Sequence, residues 1–309
     1  MLKYILFFVL FNTLGRLPLP VLYRIMAVVA WAAYYLAARA RRSVWDNLRH
    51  VMPPGTPKRE MRKAARQVFR NVALYYADTA HLPWTDIDDF FHRRLVIHGL
   101  EEHLMPAVAS GRGVIMMSAH FGNPELAVQA LTVVGVHVFA LTEPLRPPSL
   151  SRLMDRFRAS KGHSFAPVSV ASVKRVIKTL RSGGVVALMA DRDIEGPRAL
   201  LPFCGHDAYM PTGPMEVALR TGAVVVPSFS RRRNRYIIEA YMEEPLELER
   251  TGDLEADVRR NALRFLERFE RRLRAEPGQW AVLEAVWGAC PPARATRRQP
   301  GDEGDDARR

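Results

Sequence analysis

The run GVIMMSAHFGNPEL, residues 113–126, leaves the backbone few choices. Val114 to Met117 is a short apolar stretch between Gly113 and Ser118, which reads as a buried strand more readily than as a helix. A polar turn, Ala119 to Asn123, follows. Pro124 suits the first turn of a helix, with Asn123 as its N-cap, and the apolar stretch Leu126 to Val134 stops at Gly135. Strand, turn and helix in succession predict an α/β fold. They also put His120 at the carboxyl end of a strand, where open α/β sheets hold their ligands.

Glu125 lies five residues after His120, in the first turn of the expected helix. An imidazole can take a proton from an alcohol, and a carboxylate on its other nitrogen would fix the tautomer and stabilise the imidazolium. The spacing alone does not identify a site. His81 is also followed by an acid at the same interval, Asp86, but in a polar segment with no strand before it. His81 is therefore expected at the surface and His120 at the site, against the plainer alternative of a structural histidine satisfied at a turn.

Further strands are expected over 90–97, 136–141, 163–168, 185–189, 223–229 and 236–241, the last antiparallel after the basic run RRRNR. Helices are expected over 58–76, 149–161, 171–180, 215–221 and 253–275. Thr212 can cap the helix that starts near Gly213, and exposed amides there would attract an anion.

The N-terminus adds a membrane element. Tyr4 to Phe11 is apolar, residues 15–20 interrupt, and Val21 to Ala38 is almost wholly apolar apart from Arg24. Arg39, Arg41 and Arg42 follow, which favours the cytoplasmic side. The length is marginal for a span, and an interfacial anchor or a pair of helices covering the domain fits equally. The net charge of +13, carried mostly by arginine, predicts an anionic partner: a membrane surface, a phosphate-bearing substrate or nucleic acid. No nucleic-acid-binding module accompanies it, so nucleic acid is not expected. Two cysteines, Cys204 and Cys290, supply neither a disulfide framework nor metal-ligand spacing.

The block MMSAHFGNPELA resembles the histidine–four residues–acid motif of the glycerolipid (lysophospholipid) acyltransferase superfamily. The nearest branch holds the lipid A biosynthesis late acyltransferases and the phosphatidylinositol mannoside acyltransferases. RRSVWDNLRHVMP, FRNVALYYAD, LTEPLRP, FRASKG, LMADRDIEGPRALLPFCG and PTGPMEVALRTGAVVVP are similar to that branch in the same order, over most of residues 40–230. Phe203-Cys204-Gly205 resembles its Phe-x-Gly turn, and Pro277 to Trp280 its Pro-x-x-Trp. The lipid A enzymes commonly continue with a Trp-x-His-Arg-Arg-like block. Here AVLEAVWG stands instead, so the chain looks more like the mannoside branch.

The resemblance implies a mixed sheet flanked by helices, glycerolipid-acyltransferase-like. It divides the chain into a membrane-associating helical segment over 1–40, an acyltransferase domain over 41–290 and a disordered tail over 291–309. It implies acyl transfer to a hydroxyl of a glycolipid or lysophospholipid, with acyl-CoA or acyl carrier protein as donor substrate and no metal or other cofactor. The place of work would be the cytoplasmic face of the cell (inner) membrane. His120 would be the base, oriented by Glu125. Asn123, Glu143, Arg146, Arg156, Arg158, Asp191, Asp193, Thr212 and Gly213 would meet substrate, the arginines near phosphate. Asp191 and Asp193 would bond acceptor hydroxyls or hold an arginine such as Arg158. Two other classes stay open. One is a metal-dependent glycosyltransferase or hydrolase using Asp191 and Asp193. The other is a non-catalytic basic protein of the membrane surface.

Overall fold

The computed structural model describes residues 2–145, 147–192 and 196–288. Arg146, Asp193, Cys290 and the expected tail over 291–309 lie outside them. The chain opens with four helices: α1 (Leu2–Asn12), α2 (Leu19–Leu36), α3 (Ala38–Val51) and α4 (Lys58–His81). Of the expected strand over 90–97, residues 90–93 close a helix, α5 (Ile87–Arg93), and residues 95–97 lie in β1 (Leu95–His98). The reason is local: Asp86 accepts from the amides of Asp88 and Asp89, both at 3.0 Å, and so starts a helix that buries Phe90.

After α6 (Met105–Ala109) comes the strand–turn–helix unit, β2 (Val114–Ser118) and α7 (Pro124–Gln129). The order continues β3 (Val138–Thr142), α8 (Pro148–Arg158), β4 (Ser164–Pro167), α9 (Val170–Arg181) and β5 (Val185–Met189). A hairpin of β6 (Arg198–Phe203) and β7 (His206–Pro211) follows, then α10 (Gly213–Thr221), β8 (Val224–Arg232), β9 (Ile238–Met242) and α11 (Leu254–Ala275).

Seven strands form one mixed sheet in the order β1-β9-β8-β2-β5-β3-β4. β8 and β9 pair antiparallel as expected, and every other neighbouring pair is parallel. β2 sits at the centre, and all five of its residues are buried. Its side chains alternate between the two faces. Ile115 and Met117 join the core under α10 and α11, while Val114 and Met116 join the core shared with Phe90, Leu126 and Leu131. Helices therefore cover both faces, and only the strand ends remain for a site.

β6 and β7 form a separate two-stranded hairpin where only a turn was expected. Its tip is Cys204 and Gly205, with φ of 54° and 85°. Two left-handed residues make the primed turn whose twist matches a two-residue hairpin. The N-terminal helices do not stand apart from the rest. Phe11, Leu22, Tyr23, Met26 and Ala30 share a core with Leu74 and Ala77 of α4 and with Leu153 and Phe157 of α8.

Candidate active site

The carboxyl ends of β2, β5 and β3 are neighbours in the sheet. They bring His120, Asp191 and Glu143 to one edge. The His120 Nδ1 lies 2.8 Å from Asp191 Oδ1, and the His120 amide donates to Asp191 Oδ2 at 3.0 Å. Trp280 Nε1–H donates to the same Oδ2 at 2.8 Å. Asp191 is fully buried, and the imidazole keeps 25% of its surface exposed.

Burial by itself would raise the Asp191 carboxyl. The charge attraction of His120 and hydrogen bonds from the His120 ring, Trp280 and the His120 amide outweigh it, so the group stands below the usual carboxylate value. An ionised carboxylate only accepts, so Nδ1 carries the proton, and whenever the imidazole is neutral Nε2 holds the lone pair.

The expectation that Glu125 orients His120 is thereby corrected: the ring nitrogen facing a carboxylate faces Asp191. Glu125 instead accepts from Arg158 Nε at 2.9 Å, from the Tyr75 hydroxyl, and from Thr79 Oγ1 at 3.4 Å. Arg158 Nη2 also reaches the Tyr75 oxygen at 3.2 Å. Of the two alternatives for Asp191, acceptor hydroxyls or an arginine such as Arg158, the second is not what the structure shows: Arg158 pairs with Glu125. Burial and the Glu125 charge push the Tyr75 phenol above its ordinary value, so it stays a hydroxyl donor. Burial opposes the Arg158 charge, but Glu125 and Tyr75 more than offset it.

Asn123 caps α7 as expected, its Oδ1 accepting from the Leu126 amide at 3.0 Å. It is completely buried, so the expectation that it meets substrate is corrected. Glu143 accepts from Arg192 at 3.0 Å, and Arg192 also reaches Glu284 at 3.2 Å. Arg156 is exposed on α8, apart from the buried Arg158. Thr212 and Gly213 begin α10, but the buried Thr212 side chain makes no cap. His81, the second histidine with an acid at the same spacing, is half-buried and lies 2.7 Å from the Gly15 carbonyl by its Nδ1, a structural contact.

The loop between β2 and α7 is held from several sides. The Gly122 amide donates to the Gln279 carbonyl at 2.9 Å, and the Ala281 amide to the His120 carbonyl at 2.7 Å. Gly122 has φ of 67°, and a Cβ there would sit 2.4 Å from the Ser230 carbonyl oxygen. Glycine is therefore required twice over. Because the Gly122 amide is already bonded, it is not a spare oxyanion donor. The Ser230 hydroxyl donates to the Phe121 carbonyl at 3.0 Å and accepts from the Asn123 amide at 3.1 Å.

The residues missed in the sequence lie on α4. Asn71, Tyr75, Asp78 and Thr79 fall on one helical face. Asn71 donates to the Gly278 carbonyl at 2.9 Å, just ahead of Trp280. Tyr75 and Thr79 hold Glu125, and Asp78 accepts from Asn123 at 2.7 Å. The available signal was polar residues interrupting the apolar side of FRNVALYYAD at helical spacing.

For a divalent metal, Asp191 would have to release oxygens that already accept from His120 and Trp280. Among the described residues no group of three histidine, cysteine or acidic side chains is placed to hold a metal ion. What the arrangement can do is acid–base chemistry through Nε2 of His120.

Phosphatidylinositol mannoside acyltransferases of two strains of Mycobacterium tuberculosis are each 27% identical over 289 residues, covering 84% of this chain and 87% of theirs. The phosphatidylinositol mannoside acyltransferase of Mycolicibacterium smegmatis is 26% identical over 226 residues, covering 72% of this chain and 71% of its own. Residues 1–288 match the model of the bacterial lipid A biosynthesis acyltransferases. The chain belongs to that family and is an acyltransferase.

Proposed function

We propose that the protein transfers a fatty acyl group from acyl-CoA or acyl carrier protein to a hydroxyl of a membrane glycolipid, with His120 as general base and Asp191 as its orienting carboxylate. The observation that carries this reading is the His120–Asp191 pair, 2.8 Å apart at the carboxyl end of the central strand, with a quarter of the imidazole side chain exposed. Nε2 takes the proton of the acceptor hydroxyl as its oxygen attacks the thioester carbonyl carbon. The carbon–sulfur bond then breaks, and the imidazolium returns the proton to the departing thiolate. No protein nucleophile is needed. Glu125 keeps Arg158 in place at the edge of the site, in the fold expected of a glycerolipid acyltransferase. The mannosylated phosphoinositides named for the relatives are the first acceptors to try.

The acceptor is met at a membrane surface. α2 buries Leu22, Tyr23, Met26, Ala30 and Tyr34 against the protein and exposes Val28, Val29, Trp31, Tyr35 and Leu36. Leu36 is 82% exposed and Trp31 64%, and α1 adds Ile5, Phe8 and Val9 to the exposed set. A helix with one side packed on α4 cannot also be surrounded by lipid. We infer that α1 and α2 lie in the plane of one leaflet, on the cytoplasmic face of the inner membrane, with arginines supplying attraction to anionic headgroups.

The test is transfer from palmitoyl-CoA to phosphatidylinositol mannoside in phosphatidylglycerol–phosphatidylcholine vesicles, followed by mass spectrometry. His120→Ala should abolish the acylated product, a loss on the order of 10²–10⁴-fold, with the fold intact. Activity equal to the parent in that variant rules the mechanism out. Comparing lipids from cells with and without the protein then identifies the natural acceptor and chain length.

A further inference from the structure

Asp78 is a buried carboxylate that the chemistry above does not use. It lies on α4 at 4% exposure and is gripped from three directions. The Tyr23 hydroxyl of α2 donates to Oδ1, while the Arg232 guanidinium at the end of β8 donates to Oδ2. The Asn123 side-chain amide also donates to Oδ2, at 2.7 Å. Tyr23, Arg232 and Asn123 are themselves 2%, 8% and 0% exposed.

An ion pair this deep is poor value as a source of stability. Desolvation of both charges consumes most of the attraction, and apolar replacements of similar shape are often as stable. What such a cluster supplies well is fixed geometry. Here the fixed atom is the Asn123 Nδ2. The other end of that amide, Oδ1, caps α7, and the Asn123 backbone sits three residues from His120 and two from Glu125. The 78–123 bond therefore fixes the rotation of the side chain that starts α7, and with it the helix carrying Glu125 and the loop carrying His120.

We propose that Asp78 is a positioning residue for acyl transfer: acting through Asn123, and clamped by Arg232 and Tyr23, it sets the loop between His120 and Glu125. This rests on the acyl-transfer reading above. Asp78 touches neither substrate nor the reacting atoms. A loop displaced by about 1 Å can cost on the order of 10²-fold in rate, while donor binding elsewhere is spared. The same clamp joins α2, the helix expected on the membrane, to the catalytic loop through the one residue Asp78.

The test uses the full chain with palmitoyl-CoA and phosphatidylinositol mannoside in the vesicles described above. The double variant Asp78→Leu/Arg232→Met removes both charges together, so neither is left buried alone. It should keep its urea midpoint close to the parent and its KM for palmitoyl-CoA, while kcat falls about 10- to 100-fold. Amide hydrogen exchange over residues 120–129 should quicken at least 10-fold, with the sheet unchanged. If the double variant does not fold, Tyr23→Phe and Asp78→Asn are read in its place for the same kcat loss at constant KM and the same local exchange. Parent-like kcat together with parent-like exchange in the loop overturns the proposal. Absence of any His120-dependent turnover in the parent overturns the acyl-transfer reading instead, and the exchange measurement still decides the role of Asp78 in holding the loop.

Discussion

Asp191 keeps its charge inside the protein because three N–H groups point at it, two from His120 and one from Trp280. Asp191→Asn would put a donor where Nδ1–H must be accepted and favour the wrong tautomer. Transfer should drop on the order of 10²–10⁴-fold with little change in donor KM. The folded-state pKa of Asp191 is depressed, so its stabilising contribution is complete above the unfolded value and is lost as pH falls through the folded one. The stability gap between parent and Asp191→Asn should therefore hold from neutrality down to about pH 4 and narrow below it in urea titrations. Glu125 behaves differently. Glu125→Gln leaves the buried Arg158 with only Asp155, at 3.9 Å, as counter-charge; the cost should approach the about 3–5 kcal/mol typical of a broken buried pair, read as a lowered urea midpoint. Its turnover should fall less than that of His120→Ala. The sequence placed His120 correctly beyond a strand end, and it named Asp191 and Arg158 as site residues. It could not tell which acid met which partner. Residues 120 and 125 are close along the chain, whereas the 120–191 contact depends on β2 and β5 lying side by side.

At the scale of elements, the back of the site is an aromatic wall. Phe203 stacks on Phe269 at 5.8 Å between ring centroids and on Trp287 at 5.2 Å, and Trp280 meets both phenylalanines edge-on. The wall holds Trp280 so that its N–H reaches Asp191. Trp280→Phe keeps most of the packing and removes that one charged hydrogen bond, worth about 1.5–3 kcal/mol. Both the urea midpoint and kcat should fall, without loss of the fold. Cys204, at the hairpin tip, has its thiol pushed up to about 12 by burial and by nearby Glu270. Iodoacetamide at pH 8 should leave Cys204 unmodified until urea unfolds the chain, as peptide mapping would show. Periodicity predicted most of these elements, from the five-residue strand at 185–189 to the helix capped by Asp253. It failed at α5, where the Asp86 cap outweighed two adjacent phenylalanines that read as strand. It also missed the polar residues on the inner face of α4, because their partners lie far along the chain.

For the whole molecule, the exposed apolar faces of α1 and α2 and the net charge of +13 act together. Binding to phosphatidylglycerol vesicles should weaken as salt rises but retain a salt-resistant part from Trp31 and Leu36. Trp31→Glu/Leu36→Glu should abolish that part in a sedimentation assay. Alkaline carbonate should release the parent protein from membranes, whereas a spanning helix would stay. The hydropathy of residues 19–36 alone fits either topology. The packing of Tyr23 and its neighbours against α4 is the ground for proposing the in-plane one.

The site's rear support comes late in synthesis. Trp280 and Ala281 fix Asp191 and the His120 carbonyl, while Asn47 grips the segment beyond them by donating to the Glu284 carbonyl at 2.7 Å and accepting from the Val286 amide at 3.0 Å. While the chain is still on the ribosome, the sheet can assemble with its imidazole unsupported. Competence to react should arrive only once the segment from Trp280 to Val286 docks behind the site. A polypeptide stopped at residue 275 should thus bind lipid vesicles and yet transfer no acyl group.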